Sequence, residues 1–298
     1  MTIKFNCPKC GALIAFPAKY AGTRAKCLTC RQRFIIPANE FEKIQVIKPE
    51  REKAVAPLPG FYRAVFHDSW KLFVNPQNVT QLTFVVAVVC FKFFLAKGFC
   101  CMNYISAVMI WGWLIGFYMD VIDETASDND TLPEIYLGVA ATFFWRVISP
   151  FFVFFYTMFL VQVPLIVALA LLRGQGVTFW NIWKETAGYN LLLQMLAISG
   201  LFVFPAAILT TAVGKDLTLL RPDYLLRPII RGFVPYIVVV ALLVAGSFLV
   251  IGVTGYTGAD TLTTTRDLGL NIAGQVVAII AMRSIGLFYR HYSCYFKW

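Results

Sequence analysis

Four cysteines open the chain as two C-x-x-C pairs, Cys7/Cys10 and Cys27/Cys30, with sixteen residues between the pairs. Thiolates at that spacing match the C-x2-C…C-x2-C pattern of a tetrahedral zinc site, each pair bending the chain so that two sulfurs face one metal. Gly11, directly after Cys10, lets the first turn aim its amides at sulfur; Arg31 holds the equivalent place in the second, which is the less ideal turn. Four thiolates close the coordination shell, so the expected metal is structural, and a redox C-x-x-C disulfide is the remaining reading. A reduced four-cysteine site belongs in a reducing compartment, which puts residues 1–60 in the cytosol. The other cysteines, Cys90, Cys100, Cys101 and Cys294, fall in or beside apolar stretches and read as small buried side chains.

A second set of chemistry-bearing residues is charged and embedded in apolar sequence. Asp120 and Asp123 close one stretch, Arg146 precedes the next, and Arg283 lies deep in the last. Leaving such charges unpaired at membrane depth is costly, so the four are read as a candidate intramembrane cluster. Helix-locking ion pairs are the first explanation and a substrate or proton path the alternative. Lys92 lies near the far end of the first stretch, where snorkelling suffices. No reaction signature accompanies them. His67 and His291 form no H-E-x-x-H, and there is neither a P-loop nor a G-x-S-x-G elbow. The chain is therefore read as non-enzymatic, with no catalytic residue assigned.

The elements that position these residues follow from composition. Of 298 residues, 59% are hydrophobic and 14% charged, against about 25% charged in soluble domains. Apolar stretches recur near the ~20 residues that cross a bilayer. The expected fold is mainly α, a multi-pass transmembrane helical bundle of about six spans with a small N-terminal β unit. Spans are expected at 79–95, 102–122, 149–172, 191–213, 234–253 and 268–288. Residues 1–37 form the cytosolic metal unit, 38–60 a flexible linker with a reach of about 25–30 Å, and 61–298 the membrane domain. Within the metal unit, strands are expected at 3–6, 12–17, 23–26 and 33–36.

The beginning MTIKFNCPKC lacks the apolar core of a signal peptide, so the first span is expected to act as an uncleaved anchor. An even number of spans places both termini in the cytoplasm. Lys215, Arg221, Arg227 and Arg231 then lie in one inner loop against Arg266 alone in the outer 253–267 loop, as the positive-inside rule requires. The loop DVIDETASDND carries no Lys or Arg. Thr131 and Glu134 form a capping box that starts a helix near Leu132, and Pro150 is expected to divide the apolar run that continues to Leu172. A seventh span is the alternative, and it would move the C-terminus outside.

Residues 61–75 place Tyr62, Val65, Phe66, Trp70 and Phe73 on one helical stripe and Arg63, His67, Asp68 and Lys71 on another, an interfacial helix. Similar aromatic, amphipathic elements precede spans at 179–190 and 225–236. Gly112/Gly116 and Gly269/Ala273 are small-residue steps that permit close helix packing within one subunit.

The formal charge is +10. Residues 1–60 carry eleven Lys and Arg against four Glu, and Lys9, Arg24, Lys26, Arg31 and Arg33 crowd the cysteines. Zinc with four thiolates is a −2 unit, which this basic cluster balances. That reading is preferred to a nucleic-acid or anionic-lipid surface.

The stretch CPKCGALIAFPAKYAGTRAKCLTC, followed by RFIIP, resembles the finger-like zinc ribbon at the N-terminus of many bacterial membrane proteins, in which Gly usually stands at the place of Arg31. The body, with DYLLRPIIRGFVPY and MRSIGLFYRHYSCYFKW, is similar to uncharacterised bacterial multi-pass families. The resemblance implies zinc as cofactor and residence in the inner membrane, and no activity. The expected function is a membrane protein presenting a cytosolic zinc ribbon to dock a protein partner or to sense. A small-solute or ion transporter or channel using the charge cluster is the rival, and an intramembrane enzyme, which no motif supports, is the third reading.

Overall fold

A computed structural model of the chain describes residues 2–7, 11–27, 33–37, 56–95, 102–135, 140–172, 182–183, 188–215, 217–252, 255–256 and 260–296. The chain divides into two compact units, Met1–Lys53 and Ala54–Trp298. It is mostly helical, with a small antiparallel strand region at the N-terminus.

The first unit consists of two hairpins. Strand β1 (Thr2–Asn6) pairs antiparallel with β2 (Leu13–Pro17), Thr2 opposite Pro17 and Asn6 opposite Leu13; β3 (Arg24–Lys26) pairs likewise with β4 (Arg33–Ile35). Each expected strand is recovered to within a residue at either end. The period of two explains the inward face: Ile3 and Phe5 are buried, while Thr2, Lys4 and Asn6 face out. Ile36 extends the second ladder, donating to the Thr23 carbonyl at 3.0 Å and accepting from Gly22 N–H at 2.8 Å. Ile3, Phe5, Cys7, Cys27, Phe34 and Ile36 form one cluster, with the Phe5 and Phe34 rings edge to face at 5.3 Å.

In the second unit, the described residues hold six helices long and apolar enough to cross a membrane: Pro76–Leu95, Ile105–Ala126, Phe144–Val161, Tyr189–Gly214, Phe233–Gly252 and Thr261–Tyr295. The protein is thus a multi-pass membrane protein, and its outer helix faces contact the bilayer. The helices are α1 (Phe61–Phe66), α2 (Lys71–Val74), α3 (Val79–Leu95), α4 (Met102–Ala126), α5 (Ala140–Val161), α6 (Val163–Leu172), α7 (Tyr189–Leu209), α8 (Pro222–Arg231), α9 (Phe233–Gly252) and α10 (Thr261–Tyr292). Helix α10 is central: residues 278–289 are buried without interruption.

Small residues bring the helices together. A Cβ on Gly112 would lie 2.7 Å from the Val147 carbonyl oxygen, and one on Gly116 would lie 3.2 Å from that of Arg146, so α4 meets the backbone of α5. The expected step at Gly269 has no such role, since a Cβ there would meet nothing within 4 Å. Gly246 against Ala278 and Gly274 against Leu249 instead join α9 to α10.

Three further expectations are corrected. Residues 132–135 are not helical, and the next described helix is α5, Ala140–Val161. The buried Asn78 explains this: its amide donates to the Leu72 carbonyl at 2.9 Å and its oxygen accepts from Leu132 N–H at 3.0 Å, which holds that stretch extended. Pro150 lies inside α5 with its ring against Gly116, and does not divide the run. The break falls at Gln162, between α5 and α6, where Pro164 can donate no backbone hydrogen bond. The ten described residues of α6 span about 15 Å, half of a hydrocarbon core, so among the described residues α6 is too short to count as a seventh crossing.

The segment before α3 is amphipathic with its faces sorted more finely than the sequence suggested. Val65 is buried and Phe73 half-buried, while Tyr62, Phe66, Trp70 and Val74 form the exposed apolar stripe, flanked by Arg63, His67 and Lys71. Lys71 donates to Asp68 at 2.5 Å, and with His67 holds that carboxyl below the usual carboxylate range. Before a span at 233–252, α8 repeats the device, burying Leu225, Pro228 and Ile229 and exposing Leu226 and Ile230. Most of the third expected element, 179–190, lies outside the described residues.

Candidate functional sites

Cys7 and Cys27 each directly follow the first strand of their own hairpin. Cys7 follows β1 directly; its N–H donates to the Ala12 carbonyl at 2.8 Å, and its carbonyl accepts from Gly11 N–H at 2.9 Å. Gly11 has φ +70°, a backbone that an L side chain rarely adopts, which is why glycine stands there. Cys27 follows β3 in the same way. Both cysteines are buried, at 3% and 1% exposure, in the cluster that joins the two hairpins. Cys10 and Cys30 lie outside the described residues, as do Lys9, Arg31 and most of the linker. Leu58, near the end of that linker, is already tied to the bundle: its N–H donates to the His291 carbonyl at 2.8 Å, and its own carbonyl accepts from His291 Nδ1 at 3.1 Å.

The charged residues gather at one end of the bundle, where Asp120 feels the charges of Arg146, Asp123 and Lys215. Arg283, with a side chain only 4% exposed, donates from Nη2 to Asp130 at 2.9 Å. Arg290, two turns further along α10, pairs with Asp128 and with Asp130, the latter at 3.3 Å. Asp123 pairs with Lys215 at 3.1 Å, just beyond the end of α7. One turn before Asp123, Asp120 lies with Arg146 on the walls of a cleft of about 220 Å³ between α4 and α5 that Glu134 also lines. The loop DVIDETASDND therefore supplies partners for Arg283 and Arg290. The acidity of this loop is plain in the sequence, but the roles of Asp128 and Asp130 follow only from its return to the basic positions of α10.

At the opposite end, Lys92 does not snorkel. Its ammonium lies 4.7 Å from the Trp111 ring centroid, a cation–π placement on the neighbouring helix. Tyr118 donates to Gln275 in the buried α4–α10 contact. Cys90 and Cys294 are half-buried, in line with a packing role.

Compared with protein-family models, curated proteins and solved structures, the chain matches none. Its functional reading therefore rests on its own residues.

Proposed function

We propose that the chain is a non-enzymatic inner-membrane protein whose N-terminal two-hairpin unit is a zinc ribbon, with Cys7, Cys10, Cys27 and Cys30 as ligands, presented in the cytosol to dock a protein partner or to sense. One observation carries the reading: Cys7 and Cys27, each at the turn of a separate hairpin, are buried in the same small cluster. Among the described residues that cluster has six buried members, and a core so small needs a staple beyond its apolar contacts. A metal held by four thiolates supplies one, and it joins two hairpins that share no ladder among the described residues.

Orientation is part of the proposal. Lys215 pairs with Asp123, and Arg221, Arg227 and Arg231 follow it before the next span; those positives favour the cytosolic side. Asp260, exposed just before α10, should face outward. An Asp260→Cys variant of a background lacking reactive native cysteines should label with an impermeant maleimide in intact cells.

The functional test is crosslinking and purification of the full chain with and without residues 1–37. A stoichiometric protein recovered with the full chain and lost on deletion supports docking. Solute or ion flux into liposomes carrying the purified chain, unchanged by the deletion, would replace this reading with transport.

A further inference from the structure

The cleft between α4 and α5 has a chemistry that the zinc reading does not use. Its walls combine Asp120 and Glu134 with Arg146, and aromatic faces from Trp113, Phe117 and Trp145. Gly116 produces this arrangement by letting the backbone of Arg146 approach α4, which sets Arg146 one turn of α4 from Asp120 on the facing helix. Trp113 and Phe117 stack at 5.5 Å and offer a continuous π surface beside the acids.

Charge selects the ligand. A simple anion on Arg146 would face two carboxylates, and a simple cation on the carboxylates would face the guanidinium. A zwitterion with its two charges a few bonds apart meets both. Phosphate suits the forked guanidinium, and a primary ammonium suits carboxylates backed by aromatic faces. Size agrees, since about 220 Å³ is below the roughly 300–1,000 Å³ of pockets that enclose drug-sized ligands. Position agrees as well. Trp145 is 69% exposed at the start of the Phe144–Val161 span, the depth at which tryptophan meets headgroups.

We propose that this cleft binds a phosphate-bearing primary amine, as in the headgroup of an aminophospholipid, with Arg146 on the phosphate and Asp120 and Glu134 on the ammonium. Lipid and soluble phosphoamine share that chemistry, and the exposed Trp145 on the cleft wall puts the site at the depth where a headgroup lies with its chains still in the bilayer.

The test uses the full chain, delipidated in detergent, and native mass spectrometry with phosphatidylethanolamine and phosphatidylglycerol added at equal concentration. Wild type should retain phosphatidylethanolamine at least tenfold over phosphatidylglycerol. Arg146→Gln should lose that binding tenfold or more, and Asp120→Asn with Glu134→Gln should reverse the preference, because the guanidinium remains while the ammonium's partners are gone. Ser149→Phe, which fills the cleft without altering a charge, should also lose the lipid, and it decides the matter if Arg146→Gln fails to fold. In a second arm, soluble phosphoethanolamine that displaces the lipid, and binds as well without it, identifies the free compound as ligand; displacement only at large excess identifies the lipid. Equal retention of the two lipids by wild type, or phosphatidylethanolamine still held by folded Arg146→Gln or Ser149→Phe protein, overturns the proposal.

Discussion

The Tyr236 hydroxyl is inserted into the backbone ladder of α7. It donates to the Phe202 carbonyl at 2.6 Å and accepts from Ala206 N–H at 3.3 Å, taking the place of the direct bond that those two groups would make in a regular helix. Pro205 is the cause, since its ring displaces the preceding turn and it has no N–H to offer the Leu201 carbonyl. The same helix then widens into a π turn over Thr210–Gly214. An inserted side chain is one of the recognised causes of a helix bend.

Tyr236→Phe tests this link cleanly, because the ring contacts with Phe202 and Phe288 at 5.2 and 5.5 Å stay in place. Removing the hydroxyl leaves the Phe202 carbonyl and Ala206 N–H without their bridge. We expect a loss of about 1–2 kcal/mol in stability, read as a drop in melting temperature of the detergent-solubilised protein. An unchanged melting temperature would mean that α7 closes its own ladder without the tyrosine.

The Arg283–Asp130 pair is unequal in exposure, and the inequality gives a directional prediction. Arg283 is 4% exposed at its side chain and Asp130 62%. Asp130→Ala strands a buried guanidinium whose Nε already has no partner, whereas Arg283→Met leaves a solvated carboxylate that still pairs with Arg290. Asp130→Ala should therefore destabilise more than Arg283→Met, by about 1–2 kcal/mol after allowing for water at the pair's open side. The double variant should recover most of the difference. Equal costs for the two single variants would show that Arg283 is held by packing alone.

Five of the spans were legible in place because each is a long apolar run, while the third, expected at 149–172, falls at Phe144–Val161; the hairpins were legible because their strands alternate and are bounded by cysteines and glycines. What the sequence hid lies in contacts between distant residues. Thr131 and Glu134 have the local signature of a helix start, yet Asn78, more than fifty positions earlier, captures Leu132 N–H and holds the stretch open. Pro150 looks like a breaker, but against Gly116 its ring is a packing surface, and the break moves to Gln162. Arg283 called for an acid at its own depth. It found one on a loop that reaches back over the end of α10, a geometry that no periodicity encodes.

The α4–α5 seam should not tolerate side chains at its glycines. A Cβ at Gly112 would come within 2.7 Å of the Val147 backbone oxygen, an atom that cannot rotate away. Gly112→Val should destabilise by at least about 1–3 kcal/mol, or prevent accumulation of the protein in the membrane. Gly269→Val, at a glycine with open space around it, should be nearly neutral. Similar behaviour of the two variants would remove the seam as the reason for the glycine pair.

The last prediction concerns the metal. If four thiolates hold one zinc, elemental analysis of the purified chain should give one zinc per chain, and Cys7→Ser or Cys27→Ser should abolish it. Each of these side chains is buried in the six-residue cluster that joins the hairpins. Metal loss should accordingly unfold the first unit, seen as fast amide exchange across Ile3–Phe5 and Phe34–Ile36, because binding and folding of so small a unit are one equilibrium worth about 10–16 kcal/mol in comparable zinc peptides. The bundle forms a separate compact unit, so its melting should not change. This asymmetry distinguishes zinc from the redox alternative. A C-x-x-C disulfide would leave exchange sensitive to thiol reductants and indifferent to chelators, whereas a structural zinc site makes it sensitive to chelators even under reducing conditions. Purified protein without zinc, or zinc retained in the Cys7→Ser/Cys27→Ser double variant, would end the assignment.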